Sequence, residues 1–156
     1  MSEYTAKIKW ERPSDNRFID GKYTRGHTWR FDCGITVPAS SSPHVVPLPY
    51  SVEENVDPEE AFIAAISSCH MLSFLSIAAK RRFIVDMYVD DVSGLMERTA
   101  EGKYAITKVT LRPVVRFSGS EPPTADQIRE MHHEAHEECF IANSVKTNIS
   151  IDSGLQ

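Results

Sequence analysis

The sequence predicts an α+β domain in which antiparallel sheets pack around a long buried central helix. Three observations predict it. Alternating and β-branched residues mark strands in the first 40 residues and again after residue 84. A long apolar helical segment begins at Asp57, and a shorter one begins at Thr124. The resulting order is strands, long helix, hairpin, helix and strand, and we expect one domain over residues 1–156 without a linker or repeat.

The N-terminal third contains the first strands. Residues 4–10 alternate as YTAKIKW, which is typical of a half-buried strand. Residues 23–37 are rich in aromatic and β-branched side chains, and their glycines indicate turns or bulges. The Pro/Ser-rich segment 38–56 is too irregular for a helix or a strand, and connections of this length are often functional.

The long helix is predicted from Asp57 to about Arg82. Asp57 is the N-cap, Pro58 occupies the first helical position, and Glu60 lies three residues past the cap. The segment is apolar over much of its surface, so we expect it to be buried rather than amphipathic. One small sheet cannot cover such a helix. A symmetric dimer is favoured as the missing cover, and the N-terminal strands are the alternative.

The next two strands are predicted at 85–98 and 104–117, joined as a hairpin by AEGK. In the second strand the apolar side chains face one way and the polar ones the other, so one face of the sheet is covered. Pro113 indicates an edge position, because proline cannot donate a hydrogen bond to a neighbouring strand.

A second helix and a last strand complete the chain. The helix is predicted over 124–138, with Thr124 as its N-cap and Gln127 completing a capping box. Residues 146–152 alternate again and form the final strand.

Composition restricts the partners and the compartment. The net charge of −5 argues against nucleic acid or an anionic membrane as a partner. No apolar run approaching the roughly 18–20 residues of a membrane span is apparent, and the N-terminus has no apolar core typical of a secretory signal. The expected location is cytoplasmic, where thiols are kept reduced and a disulfide is more often transient and catalytic.

Two cysteines, Cys69 and Cys139, lie in similar surroundings, each in or at the end of a helical segment. Such a pair is typical of a nucleophile and the thiol that resolves it, although each cysteine alone is more often an inert apolar residue. An active Cys69 needs a nearby cation, for which Arg25 and Arg30 are candidates. Glu59, in the first turn of the helix, is suited to hold such an arginine by a two-point contact.

The second helix offers a rival, metal-binding interpretation. His132, His136 and Cys139 fall at i, i+4 and i+7 on one face, with His133 as a further option. No fourth ligand is evident, and a solvated polar face is the commonest explanation of HHEAHEE. We therefore predict no metal and no cofactor. The third cysteine, Cys33, is expected to be a packing residue.

Two of these segments, DPEEAFIAAISSCH and ECFIANSVK, resemble the OsmC/Ohr family of osmotically inducible and organic hydroperoxide resistance proteins. The resemblance implies an intertwined homodimer with active sites at the subunit interface. It makes Cys69 the peroxidatic cysteine and Cys139 the resolving one. It assigns the helix-start glutamate to Glu59 and the strand arginine to Arg25, with Arg30 as the fallback.

The activity implied by this resemblance is a thiol-dependent reduction of organic hydroperoxides, and of hydrogen peroxide, through a Cys69 sulfenic acid and a Cys69–Cys139 disulfide. An external dithiol of lipoyl type would then reduce the disulfide. The alternative is a non-catalytic or metal-binding stress protein that uses the face of His132, His136 and Cys139. Five residues are candidates for an apolar substrate mouth, although each is equally explained as core: Trp29, His70, Met71, Phe74 and Phe140.

Overall fold

The computed structural model describes residues 1–15 and 17–154. These residues form strands and helices in two compact units, Met1–Ala61 and Phe62–Gln156, and the mixed composition confirms the α+β class. Each unit is described separately below. The prediction of one domain over residues 1–156 stays a prediction.

The first unit contains a three-stranded antiparallel sheet in the order β1-β2-β3, formed by Ala6–Lys9, His27–Phe31 and Thr36–Ala39. The stretch 23–37 thus contains β2 and the start of β3, and Gly34 adopts a φ of 86° in the turn between them, in agreement with a glycine turn there. The segment that follows has no regular element, as predicted. Its Ser40 hydroxyl accepts a hydrogen bond from the Val52 amide at 2.9 Å.

Helix α1 extends over Pro58–Lys80, close to its predicted bounds. The predicted N-cap is confirmed, because Asp57 Oδ1 accepts a bond from the Glu60 amide at 2.8 Å and the Asp57 amide donates to Glu60 Oε2 at 3.3 Å. Arg82, with a φ of 65°, ends the helix. The Phe83 amide bonds back to the Ala78 carbonyl at 2.9 Å, which completes a Schellman cap.

Residues 84–118 of the second unit form four strands where the sequence predicted two. The strands are β4, β5, β6 and β7, at Ile84–Asp90, Ser93–Arg98, Tyr104–Leu111 and Pro113–Ser118. The predicted hairpin exists between β5 and β6, whereas β4 pairs with β7 in a separate two-stranded sheet. Strands β6 and β7 are separated at Arg112, whose amide donates a hydrogen bond to Asp90 Oδ1 at 2.5 Å. Pro113 lies in a strand with one neighbour, in agreement with its predicted edge position.

The predicted C-terminal elements are confirmed. Helix α2 covers Ala125–Glu138, with the full Thr124/Gln127 capping box. A 3-10 turn at Ala142–Ser144 leads into β8, Asn148–Ile151. Strand β8 pairs in parallel with β6, so this sheet is mixed rather than purely antiparallel.

The core of the second unit lies on two sides of α1. Phe74, Ile77 and Ala78 pack against Met131 and Ala135 of α2. On the other side Ile66 packs against Val109 and Leu111 of β6, the strand whose apolar face was predicted. Helix α2 and the mixed sheet therefore both bury apolar side chains against α1.

A third face of α1 is exposed in the single chain. Ala64, Ala65, Ser68 and Leu72 all lie on the surface, so this face of α1 lacks a cover within the single chain, and the symmetric dimer favoured as that cover stays a prediction. By length and composition α1 is also apolar enough to cross a membrane, contrary to the sequence expectation, and 28% of its most apolar window is buried. One helix of this kind is weak evidence for a membrane span, because the core helix of a globular protein has the same properties.

Gly94 permits the close approach of β5 to α1. A Cβ atom at this position would lie 2.7 Å from Cγ2 of Ile63 and 3.3 Å from Cγ2 of Ile106. We expect Gly94→Ala to lower the free energy of unfolding by about 1–3 kcal/mol through overpacking, as measured by urea denaturation. The same change in an Ile63→Ala background should cost clearly less, because the closest atom is gone. Equal costs in both backgrounds would contradict this packing.

Candidate functional site: a thiol pair beside a buried histidine pair

The structure brings Cys69 and Cys139 together. Cys69 lies half-buried on α1, Cys139 is buried at the C-cap of α2, and both are free thiols. Their side chains lie close enough to interact. Burial, followed by the interaction with Cys69, raises the pKa of Cys139, and the backbone amides of Ala142 and Ile141 oppose the shift only partly. Cys139 is therefore held as a protonated thiol at neutral pH.

The local fold explains this arrangement. Helix α2 ends at Cys139, whose amide bonds to the His136 carbonyl at 3.3 Å. The chain then turns into the 3-10 segment, and the Ala142 amide donates to Cys139 Sγ at 3.4 Å. Cys139 is thus both the end of one helix and the acceptor for the start of the next turn.

A groove of about 520 Å³ is lined by residues close in sequence to the two cysteines, although neither cysteine itself lines it. Leu72, Ser73 and Ser76 of α1 form one side, and Glu137, Glu138, Phe140 and Asn143 form the other. Of the residues predicted for an apolar mouth, Phe140 lines this groove and is 81% exposed. Phe74 instead belongs to the core, and Met71 is half-buried on α1.

The histidine pair beside the thiols was not predicted as a pair. His70 and His132 are 1% and 4% exposed, and Nε2 of His70 lies 3.1 Å from Nδ1 of His132. Burial, then His132 and His136, lower the pKa of His70 to about 3, and burial lowers that of His132 to about 4. Both rings are neutral at pH 7. The i, i+7 spacing of His132 and Cys139 was the available signal, but sequence cannot show which neighbour an inward histidine meets.

This pairing alters the metal-binding interpretation of α2. His132 is buried rather than solvated, so the prediction of a solvated polar face is wrong at that residue. Within residues 1–15 and 17–154, no group of three or more His, Cys, Asp or Glu side chains is arranged to hold a metal ion. His132 Nδ1 already has a partner in His70. The packing role expected for Cys33 is also wrong, since that thiol is exposed.

The predicted arginine and glutamate lie in the first unit, where the structure does not join them. Arg25 Nη1 donates to the carbonyls of Gly21 at 2.7 Å and Tyr23 at 2.5 Å, and its guanidinium carbon lies 3.7 Å from the centre of the Tyr23 ring. Glu59 Oε2 is buried without a hydrogen-bond partner among the described residues, and no ion pair there links it to Arg25. Arg30 is exposed on β2.

An apolar cavity of about 470 Å³ surrounds Arg25 in the first unit. Trp10, Phe18 and Tyr23 form an aromatic cluster at its wall, with ring centres 4.7–5.9 Å apart. Trp29, another predicted mouth residue, is half-buried on β2 and donates through Nε1 to His27 Nε2 at 2.9 Å. His27 lines the cavity, whereas Trp29 does not line it and contacts it only through its hydrogen bond to His27.

The fold and the site define a class: an α+β protein that presents two free, neighbouring cysteines, one on its long helix and one at the end of its second helix. The family model described as OsmC-like protein matches residues 52–154, and the chain belongs to this family. The resemblance stated from the cysteine segments is thereby confirmed.

Known structures agree with this assignment. An OsmC-like protein of unknown function from Vibrio cholerae is 56% identical, with a TM-score of 0.96 over 97% of this chain and 99% of that one. Organic hydroperoxide resistance proteins from Elizabethkingia anophelis and Bacillus subtilis share the fold at 14% and 15% identity. Their TM-scores are 0.67 and 0.62, over 96% of this chain and 94% and 96% of theirs. No curated protein matches the chain.

The neutral histidine pair predicts a loss of stability in acid. In the unfolded chain both histidines bind protons below pH 6.5, whereas the folded chain binds them only near pH 3 and 4. Above pH 6.5 protonation of the pair therefore costs no stability, and as the pH falls from 6.5 toward 3 proton uptake by the two histidines increasingly favours the unfolded chain. We expect urea denaturation to give a free energy of unfolding lower by about 5 kcal/mol at pH 4.5 than at pH 7.5 from this source.

The matched variant is His70→Leu/His132→Leu, which keeps every carboxylate that also titrates in this range. Its loss of stability between the two pH values should be smaller than that of the wild type by the same amount. An identical loss in both proteins would show that the histidines are not buried in the neutral form.

Proposed function

We propose that this protein is a cysteine-dependent hydroperoxide reductase in which Cys69 is oxidised and Cys139 resolves it. The observation that carries the proposal is the contact between these two thiols, one half-buried and one kept protonated. Membership of the OsmC-like family supports it, as do the names of the two organic hydroperoxide resistance proteins that share the fold.

The first step is a displacement at oxygen. The thiolate sulfur of Cys69 attacks the distal oxygen of the hydroperoxide, and the O–O bond breaks. The departing alkoxide takes up a proton and leaves as an alcohol, while Cys69 becomes a sulfenic acid. Two electrons pass from the sulfur to the peroxide.

The second step uses the protonated Cys139. Its sulfur attacks the Cys69 sulfenic acid, the S–S bond forms, and the hydroxyl group departs with the Cys139 proton as water. An external dithiol, for which we propose a lipoyl-type compound, then returns two electrons and two protons. The contact of the two sulfurs means that little rearrangement is needed before this bond forms.

Thiol ionisation alone gives too little rate enhancement. A free cysteine is already a few per cent thiolate at neutral pH, so complete ionisation gains only about ten- to thirtyfold. Further stabilisation must act on charge that develops on the departing oxygen. The neutral rings of His70 and His132 cannot provide a cation. By family resemblance we assign this function to Arg25, with Glu59 as its partner in the active state.

Two features support the remaining parts of the proposal. Leu72 and Phe140 make the groove of about 520 Å³ partly apolar, which suits organic hydroperoxides. The exposed apolar face of α1 suits burial in a homodimer, in line with the family's assembly. A cytoplasmic location is proposed because the chemistry needs reduced thiols.

The primary test measures thiols after peroxide addition. In a Cys33→Ser background, which removes the exposed thiol, one equivalent of cumene hydroperoxide should consume both remaining thiols. A peptide map should show a Cys69–Cys139 crosslink. Cys69→Ser should leave Cys139 unreacted, whereas Cys139→Ser should give a sulfenic acid that dimedone traps. Two thiols that persist in the wild type after peroxide would refute the proposal.

Arg25→Lys tests whether the positive charge of Arg25 is sufficient for activity or whether the planar guanidinium group is also needed. Lysine keeps the positive charge but loses the planar set of donors, so we expect kcat/KM for cumene hydroperoxide to fall by about a hundredfold. The thiol pKa, followed by thiolate absorbance at 240 nm, should change little. Arg30→Lys is the matched control on the neighbouring strand and should retain activity within about twofold. Equal effects of both variants, or parallel losses of ionisation and activity, would contradict the assigned role.

A further inference from the structure

The His70–His132 pair has no role in the chemistry proposed above, yet it is the most buried polar group near the thiols. The two rings are stacked, with centres 5.4 Å apart and planes inclined by 8°. The ring of His132 also stacks on Phe74 at 4.3 Å, which fixes its orientation. The pair is thus a rigid, directional link between α1 and α2.

This link has an energetic cost. His70 Nδ1 and His132 Nε2 are both buried without a hydrogen-bond partner in the described part of the chain. A buried polar atom left unsatisfied is destabilising, whereas two apolar side chains of similar shape are often neutral or stabilising. Stability alone therefore does not explain why two histidines occupy these positions.

The position of the pair along the two helices supplies an explanation. His70 directly follows Cys69 on α1, and His132 precedes Cys139 by two helical turns on one face of α2. A bond of fixed length and direction between the histidines therefore sets the rotation and register of both helices. The same rotation and register determine whether the two sulfurs meet.

We propose that the His70–His132 bond is a positioning element for the Cys69–Cys139 pair, which sets the effective concentration of the two thiols and hence the ease of disulfide formation. This inference rests on the part of the proposed function that makes these cysteines a redox couple. An apolar contact in place of the bond would leave α1 free to rotate or slide slightly against α2. The sulfurs would then meet less often, although the fold persists.

The test measures effective concentration in glutathione buffers, without peroxide. One oxidised glutathione accepts two electrons and two protons from the thiols, its S–S bond breaks, and the Cys69–Cys139 bond forms. All variants carry Cys33→Ser. His70→Leu/His132→Leu should lower the effective concentration at least tenfold, equivalent to about 30 mV in reduction potential. His133→Leu, an exposed neighbour on α2, is the matched control and should stay within twofold of the wild type.

A second measurement separates positioning from ordinary stabilisation. The free energy of unfolding of the reduced double-leucine variant at pH 7.5 should equal or exceed that of the wild type, since no orphaned nitrogen remains. The double variant would then lose effective concentration of the two thiols without losing free energy of unfolding. A double variant whose effective concentration lies within twofold of the wild type would overturn the inference, and so would a loss fully explained by unfolding.

Single substitutions decide the case if the double variant does not fold. His132→Asn keeps a polar atom near the position of Nδ1, whereas His132→Leu removes it. We expect His132→Asn to retain the effective concentration within about threefold and His132→Leu to lose at least tenfold. Equal losses would overturn the inference. Because glutathione replaces peroxide, failure of the thiols to react with peroxide would refute the proposed function and leave this result intact.

Discussion

Helix α1 is the constraint on which the second unit depends, because its apolar surface extends around most of its circumference. Helix α2 covers one side through Phe74 and Ile77, and the mixed sheet covers another through Ile66. Both core clusters of the second unit contain residues of α1. The position of every side chain on α1 therefore decides which neighbour it meets, and the face that neither neighbour covers is the one we assign to a second subunit.

Three side chains within one turn of this apolar helix have specific partners elsewhere in the unit. The Ser67 hydroxyl donates to Asp90 Oδ2 at 2.5 Å, Cys69 interacts with Cys139, and His70 bonds to His132. The partners come from β4, the end of α2 and the middle of α2. Polar groups placed at one level of a buried helix restrict its rotation and register, because each bond tolerates little displacement. The thiol pair is thereby held by the same set of bonds that orients the helix.

The sequence predicts local structure well where the signal is local. The caps of α1 and α2 were read from Asp57 and from Thr124 with Gln127, and the covered face of β6 was read from alternation. The division of each long strand at Asp90–Val92 and Arg112 was missed, because alternation continues through a residue that changes sheets. The parallel pairing of β8 was missed for a related reason, since pairing depends on tertiary contacts. Of the site, the two cysteines were predicted, but the buried partner of His70 was not.

The protonation state of the two histidines limits which residues can supply a positive charge to the Cys69 thiolate. A histidinium beside a cysteine is a common means of lowering a thiol pKa, but burial keeps both His70 and His132 neutral down to about pH 4. Arg81, near the end of α1, is already bound to Glu130 and Glu134 through bonds of 2.8 and 2.6 Å. Neither group can therefore both keep its present contacts and supply a free cation to a thiolate. We therefore propose that an arginine from another segment supplies this cation, which is the role that the family resemblance gives to Arg25, and that the histidines determine geometry rather than charge.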